Sequence, residues 1–182
     1  DVSSRERRKL DTVRFPVVDG CVDISSHEDI CLVAVIERHG RKGTASLTPI
    51  RGVGLTSGAA ASTIAHDSHN LIVIGRTAAD MLVAAQAVVD VGGGAAAALD
   101  GRVTAVLPLP IAGLMSPDPV ETLVPKLKAL NVALHAQGIA FEQPLMPIIG
   151  IALPVIPDYG VTDLGLVDVN AQRLIPLWVE EA

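Results

Sequence analysis

Ala95-Ala96-Ala97-Ala98-Leu99-Asp100-Gly101-Arg102-Val103-Thr104-Ala105-Val106-Leu107 reads as two short apolar strands that meet at an Asp-Gly pair. Asp-Gly supplies the positive φ angles of a type I′ turn, whose twist matches the strands it joins, so the segment predicts a β-hairpin. A hairpin is an antiparallel unit, and it sets the class of sheet its neighbours can join.

On the upstream side, Leu71-Ile72-Val73-Ile74 is a wholly apolar strand stopped by Gly75. Thr77 then opens a helix, with Asp80 placed as in a capping box. Met81, Ala84, Ala85, Val88 and Val89 fall on one face of it. Gly92-Gly93-Gly94 ends the helix, because glycine accepts the left-handed conformation that satisfies its last carbonyls. On the downstream side, Asp118 can cap a second helix, with Pro119 in its first turn and Glu121 completing the box. Val120, Leu123, Val124, Leu127, Asn131 and Leu134 trace its expected face, Pro125 should kink it, and Gly138 closes it.

Further out, Phe15 to Val18, Ile30 to Ile36 and Thr44 to Ile50 read as strands. Ala59 to Ala65 reads as a strand or a short helix, and its small side chains imply close packing against a neighbouring backbone. The tail from Phe141 to Trp178 is broken by prolines and should wrap or edge the sheet. These elements alternate without a regular βαβ rhythm. The expected fold is α+β, a mixed, largely antiparallel sheet with two main helices packed on it. Residues 1–29 read as a polar lead-in with a first strand, serving as a linker, and residues 30–182 as the domain proper.

The 182 residues are 49% hydrophobic but only 2% aromatic, so the core must be built from aliphatic side chains and alanine. A net charge of −6, with no basic cluster beyond Arg5, Arg7, Arg8 and Lys9, argues against nucleic acid as a partner. The longest apolar run, Leu145 to Ile156, is interrupted by Pro147 and Pro154 and is too short to span a bilayer. No signal peptide is visible, so the cytoplasm is the expected compartment. Asp1 at the start, in place of Met, reads as a fragment of something longer. Cys21 and Cys31 lack a CxxC partner and are expected to be buried structural thiols.

Chemistry is concentrated in His66-Asp67-Ser68-His69-Asn70, which lies between apolar segments. Such a cluster can ligate a metal, shuttle protons or hydrogen-bond a polar heterocycle. An extended chain would send His66 and Ser68 to one face and Asp67 and His69 to the other; a turn would bring His66 and His69 together. The plainer alternative is a loop that satisfies its own polar groups. An HxxH pair alone lacks further ligands, so no metal site is assigned to this chain. Glu37-Arg38-His39, at a strand end, can bind an anion or pair with Asp67, against the alternative of a structural ion pair at the sheet edge. Asp158, Asp163 and Asp168 are scattered along the tail, and their spacing does not group them.

Several ordered segments resemble the C-terminal domain of bacterial adenine deaminases. They are Val35-Ile36-Glu37-Arg38-His39-Gly40, Gly52-Val53-Gly54-Leu55, Gly58-Ala59, Ala65-His66-Asp67-Ser68-His69-Asn70, Leu109-Pro110-Ile111-Ala112-Gly113-Leu114-Met115-Ser116, Leu153-Pro154-Val155-Ile156-Pro157 and Thr162-Asp163-Leu164-Gly165-Leu166-Val167-Asp168-Val169. The resemblance runs from about residue 30 to 170. It implies hydrolytic deamination of adenine to hypoxanthine and ammonia by an amidohydrolase whose manganese or iron sits in a (β/α)₈ barrel. It also implies that barrel as a partner, and a homo-oligomer. The metal ligands of that superfamily begin with H-x-H, which is missing here, and a barrel needs about 250 residues. His66, Asp67, Ser68, His69 and Asn70 are therefore expected to face the cleft of a barrel supplied from elsewhere. Glu37, Arg38 and His39 are expected to serve substrate or interface. The alternative is an oligomerisation module whose polar cluster is structural.

Overall fold

The computed structural model describes residues 1–2 and 8–179. Its elements are β1 (Val17–Val18), β2 (Cys21–Val22), β3 (Ile30–Ile36), β4 (Ala45–Arg51), β5 (Ala59–Ser62), β6 (Leu71–Gly75) and α1 (Ala78–Asp90). Then follow β7 (Gly94–Leu99), β8 (Arg102–Pro108), α2 (Val120–Ala136), α3 (Met146–Ile151), β9 (Tyr159–Thr162), β10 (Gly165–Asp168) and β11 (Arg173–Leu174). A six-stranded sheet in the order β4-β3-β6-β5-β7-β8 is the centre of the domain, and every pairing in it is antiparallel. The expected α+β architecture is borne out. The Asp100-Gly101 hairpin is present, with φ of 53° and 72° at its two turn residues.

One face of the sheet carries α1. Met81, Ala84, Ala87 and Val88 pack on Ala59, Ala61, Leu71, Val73, Ala96 and Ala98. Alanine strands let the helix sit low on the sheet, and a Cβ added at Gly75 would come within 2.4 Å of Met81 Cγ. This is the close approach that the small residues imply. Val89, expected on the buried face, is instead exposed, and Ala87 takes its place. The opposite face holds the larger core, where Val33, Val35, Ile72 and Ile74 meet Leu130 and Leu134 of α2 and Ile148 and Ile151 of α3. The tail forms a small sheet, β11-β10-β9, beside β4.

Helix ends show where local code and tertiary contact diverge. Thr77 Oγ1 accepts the Asp80 N–H at 3.2 Å, as expected of an N-cap. The Asp80 carboxylate accepts the Thr77 hydroxyl through Oδ2 at 3.2 Å and the Gly101 N–H through Oδ1 at 2.8 Å, tying the start of α1 to the hairpin turn. The α1 terminus closes with Gly93 N–H on the Val88 carbonyl and Gly92 N–H on that of Val89, the paired bonds of a Schellman motif. α2 differs from expectation. Pro119 occupies its cap, while Asp118 pairs with Lys126 at 2.7 Å. Only Leu130 and Leu134 of the helix are buried; Val120, Val124 and Leu127 are exposed. The helix rests mainly on the edge strand β8, which its C-terminal half covers and its first turns overshoot.

The lead-in is docked where it is described. Val2 N–H donates to the Arg51 carbonyl at 2.9 Å, and Arg51 pairs with Asp11 and Asp29. Arg8 is only 9% exposed. Its guanidinium donates to the carbonyls of Gly150, Ile151, Leu153 and Tyr159, around the end of α3. Arg5 and Arg7, the other arginines of the basic stretch, lie outside the described residues. Cys31 is buried, which pushes its thiol up to about 12, whereas Cys21 is exposed, contrary to the expectation for both cysteines.

The β3–β4 connection is organised by one carboxylate. Glu37 accepts the His39 N–H at 2.6 Å through Oε1 and those of Arg41, Lys42 and Gly43 at 3.1, 3.2 and 3.1 Å through Oε2. Desolvation pushes the Glu37 carboxyl up, but these four bonds outweigh it and hold it below its ordinary value.

Two outcomes follow from these contacts. Asp80→Ala removes a cap partner and strands the Gly101 N–H, and should cost roughly 1–3 kcal/mol in urea denaturation. Glu37→Gln should lower the melting temperature at neutral pH. A carboxyl with a depressed folded pKa stabilises above its unfolded value and stops doing so as pH falls through the folded one. The gap between wild type and Glu37→Gln should therefore close on acidification below about pH 4. Thermal unfolding across pH checks this.

Candidate functional site

Antiparallel order places the ends of several strands side by side. Ile36 pairs with both Leu71 and Ala45, Ser62 pairs with Ile72 and Ala95, and Gly94 pairs with Pro108. The segments running off these positions are Glu37-Arg38-His39, Thr63 to Asn70 and Leu109 to Ser116, so all three emerge at one end of the sheet.

Residues 63 to 70 form a turn. His69 N–H returns to the Ala65 carbonyl at 2.6 Å, and His69 has φ of 50°. The turn brings the His66 and His69 rings together edge to face, 5.7 Å between centroids. Asp67 and Ser68 form its exposed tip, while Asn70 at its base is 3% exposed. His66 also lines a cleft of about 510 Å³ together with Phe141, Met146 and Pro147.

Arg38 binds the turn to its neighbour. Its Nε donates to the His69 carbonyl at 2.6 Å and its Nη2 to the Ala112 carbonyl at 2.7 Å. Thr63 Oγ1 donates to the adjacent Gly113 carbonyl at 2.7 Å, so the Ile111–Met115 turn is gripped from two sides. His39 Nε2 lies 2.8 Å from the Ser68 carbonyl. Glu37, Arg38 and His39 thus direct their side chains to backbone groups. In place of the expected pairing of Arg38 or His39 with Asp67, or a sheet-edge ion pair, Arg38 and His39 meet carbonyls and Glu37 meets N–H groups.

Asp163 is the residue that spacing does not reveal. It sits in the β9–β10 turn, and its carboxylate accepts the Asn70 Nδ2 at 3.1 Å and the Thr44 hydroxyl. Asn70 and Asp163 are 93 positions apart, and only the Thr162-Asp163-Leu164-Gly165 segment of the family resemblance points to it. In the tail, Asp158 accepts a hydrogen bond from Asn170 Nδ2 and Asp168 accepts one from the Ala171 N–H. In the same turns, Ile111, Met115 and Leu164 are exposed.

Among the described residues, no group of three or more His, Cys, Asp or Glu side chains is placed to hold an ion. No helix among them is long and apolar enough to cross a membrane.

Comparison with known proteins bears on the whole of this arrangement. The adenine deaminase C-terminal domain family matches residues 7–173, which extends the similarity well upstream of residue 30. Adenine deaminase of Moorella thermoacetica is 45% identical over 166 residues, 91% of this chain and 28% of that protein. The Oleidesulfovibrio alaskensis adenine deaminase is 46% identical over 160 residues, covering 88% of this chain and 28% of its own length. That of Desulfatibacillum aliphaticivorans is 48% identical over 150 residues, 82% and 26% of the respective lengths. The chain thus spans between a quarter and a third of the curated relatives it matches, and it belongs to the adenine deaminase C-terminal domain family.

Proposed function

We propose that this chain works as the C-terminal domain of an adenine deaminase. It would contribute to the hydrolysis of adenine to hypoxanthine and ammonia in an intact, metal-dependent, cytoplasmic enzyme of purine salvage. The metal, manganese or iron, belongs to an amidohydrolase barrel joined through residues 1–29, and its ligands are not in this chain. The observation that carries this reading is convergence. Arg38, His66 to Asn70, Ala112 and Asp163 lie far apart in sequence and are tied into one rim by direct hydrogen bonds. A rim held this firmly suits a surface that completes a cavity, because a site must be held by its supporting groups before ligand arrives.

In this reading His66, Asp67, His69 and Asn70 face the barrel mouth, where they order the substrate cleft or hold the domain contact. Glu37, Arg38 and His39 set the backbone of the rim. A second reading has support from those same residues. All three direct their side chains to peptide groups, as a structural cluster would, and Ile111, Met115 and Leu164 offer apolar contact for a homo-oligomer.

The 182-residue chain, purified and supplied with manganese or iron, should not turn over adenine; ammonia release above the buffer blank would refute the division of labour. In an intact enzyme carrying this domain, Asp67→Ala should lower activity or solubility. Asp67 is exposed in the domain, so unchanged kinetics and stability would favour the oligomerisation reading instead.

A further inference from the structure

The Asn70 amide has a fixed polarity. An ionised carboxylate only accepts hydrogen bonds, and Asp163 already takes the Thr44 hydroxyl on one oxygen and the Asn70 NH₂ on the other. Reversing the amide would set two oxygens face to face. The Asn70 carbonyl oxygen therefore points away from Asp163, and among the described residues it is buried with no partner. The main chain of Asn70 is held as well, its N–H donating to Ser68 Oγ at 3.3 Å. The neighbouring His69 Nδ1 is also buried and unpartnered. Buried acceptors in folded proteins nearly always meet a donor, so one left open inside a built cluster calls for a donor from outside it.

We propose that Asp163 is a positioning residue that fixes Asn70 as the hydrogen-bond acceptor for the exocyclic amine of an aminopurine. The inference rests on the adenine deaminase reading and adds to it a residue pair and a polarity. The amine of adenine donates; the oxygen that replaces it in hypoxanthine accepts. A locked acceptor at this point favours substrate and opposes product, and discrimination by a buried polar group of this kind is strong because the wrong partner leaves it unpaired. The oxygen is covered within the domain, so the groups over it must move when the donor arrives.

Two measurements test this. In the 182-residue chain, the Asn70 side-chain NH₂ should show slow hydrogen exchange by NMR, lost in Asp163→Asn; free exchange in the wild type overturns the lock without recourse to any variant. In an intact enzyme carrying this domain, Asp163→Asn lets the Asn70 amide turn over and present its NH₂. The ratio of the hypoxanthine inhibition constant to the adenine KM should then fall by roughly tenfold or more. Asp163→Glu, still acceptor-only, and Thr44→Val should keep that ratio. A ratio unchanged in a folded Asp163→Asn enzyme, or an equal loss of kcat with no change in discrimination, overturns the inference alone. A wild-type enzyme that does not deaminate adenine removes the functional reading with it.

Discussion

A single guanidinium holds together the end of the sheet on which the functional argument turns. The carbonyls of His69 and Ala112 belong to two loops that leave the sheet from different strands. Arg38 donates to both. Bonds from a charged donor contribute about 1.5–3 kcal/mol each, which offsets the cost of withdrawing the cation from water. The planar fork of arginine can address two acceptors in a fixed relation, whereas a lysine presents one point of charge. Arg38 therefore links the loop that carries the polar cluster to the loop beside it.

That arrangement depends on the sheet being antiparallel throughout. A parallel sheet would gather only the C-terminal strand ends at one edge; the antiparallel order adds the start of β6 to the ends of β3, β5 and β8, so the connections share one rim. The helix α1 covers the alanine-rich strands from one side, and the larger core holds them from the other.

Much of the fold was legible because it is written locally. The Asp100-Gly101 turn, the Thr77 cap and the glycine stop after α1 each follow from a few adjacent residues whose conformational preferences agree. The buried face of α2 was not legible. Its apolar residues fit more than one helical stripe, and contact with the edge strand β8 goes with burial of Leu130 and Leu134, partial burial of Leu123 and exposure of Val120, Val124 and Leu127. α3 is a short helix around Pro147, and a proline-broken apolar run does not distinguish it from a loop. In the site, the turn from His66 to Asn70 stood out by composition. The roles of Arg38 and Asp163 did not, since each is defined by partners remote in sequence and, for Arg38, by backbone groups that carry no residue identity.

Arg8 has a bearing on where the domain can be said to start. Its side chain is threaded into the bend that follows α3, satisfying peptide oxygens which no other described side chain reaches. A polypeptide trimmed to begin at the first long strand would lose the charged donor that these four oxygens share. The folding unit is accordingly larger than its regular secondary structure, and a residue that looks like part of a tether is one of its internal struts.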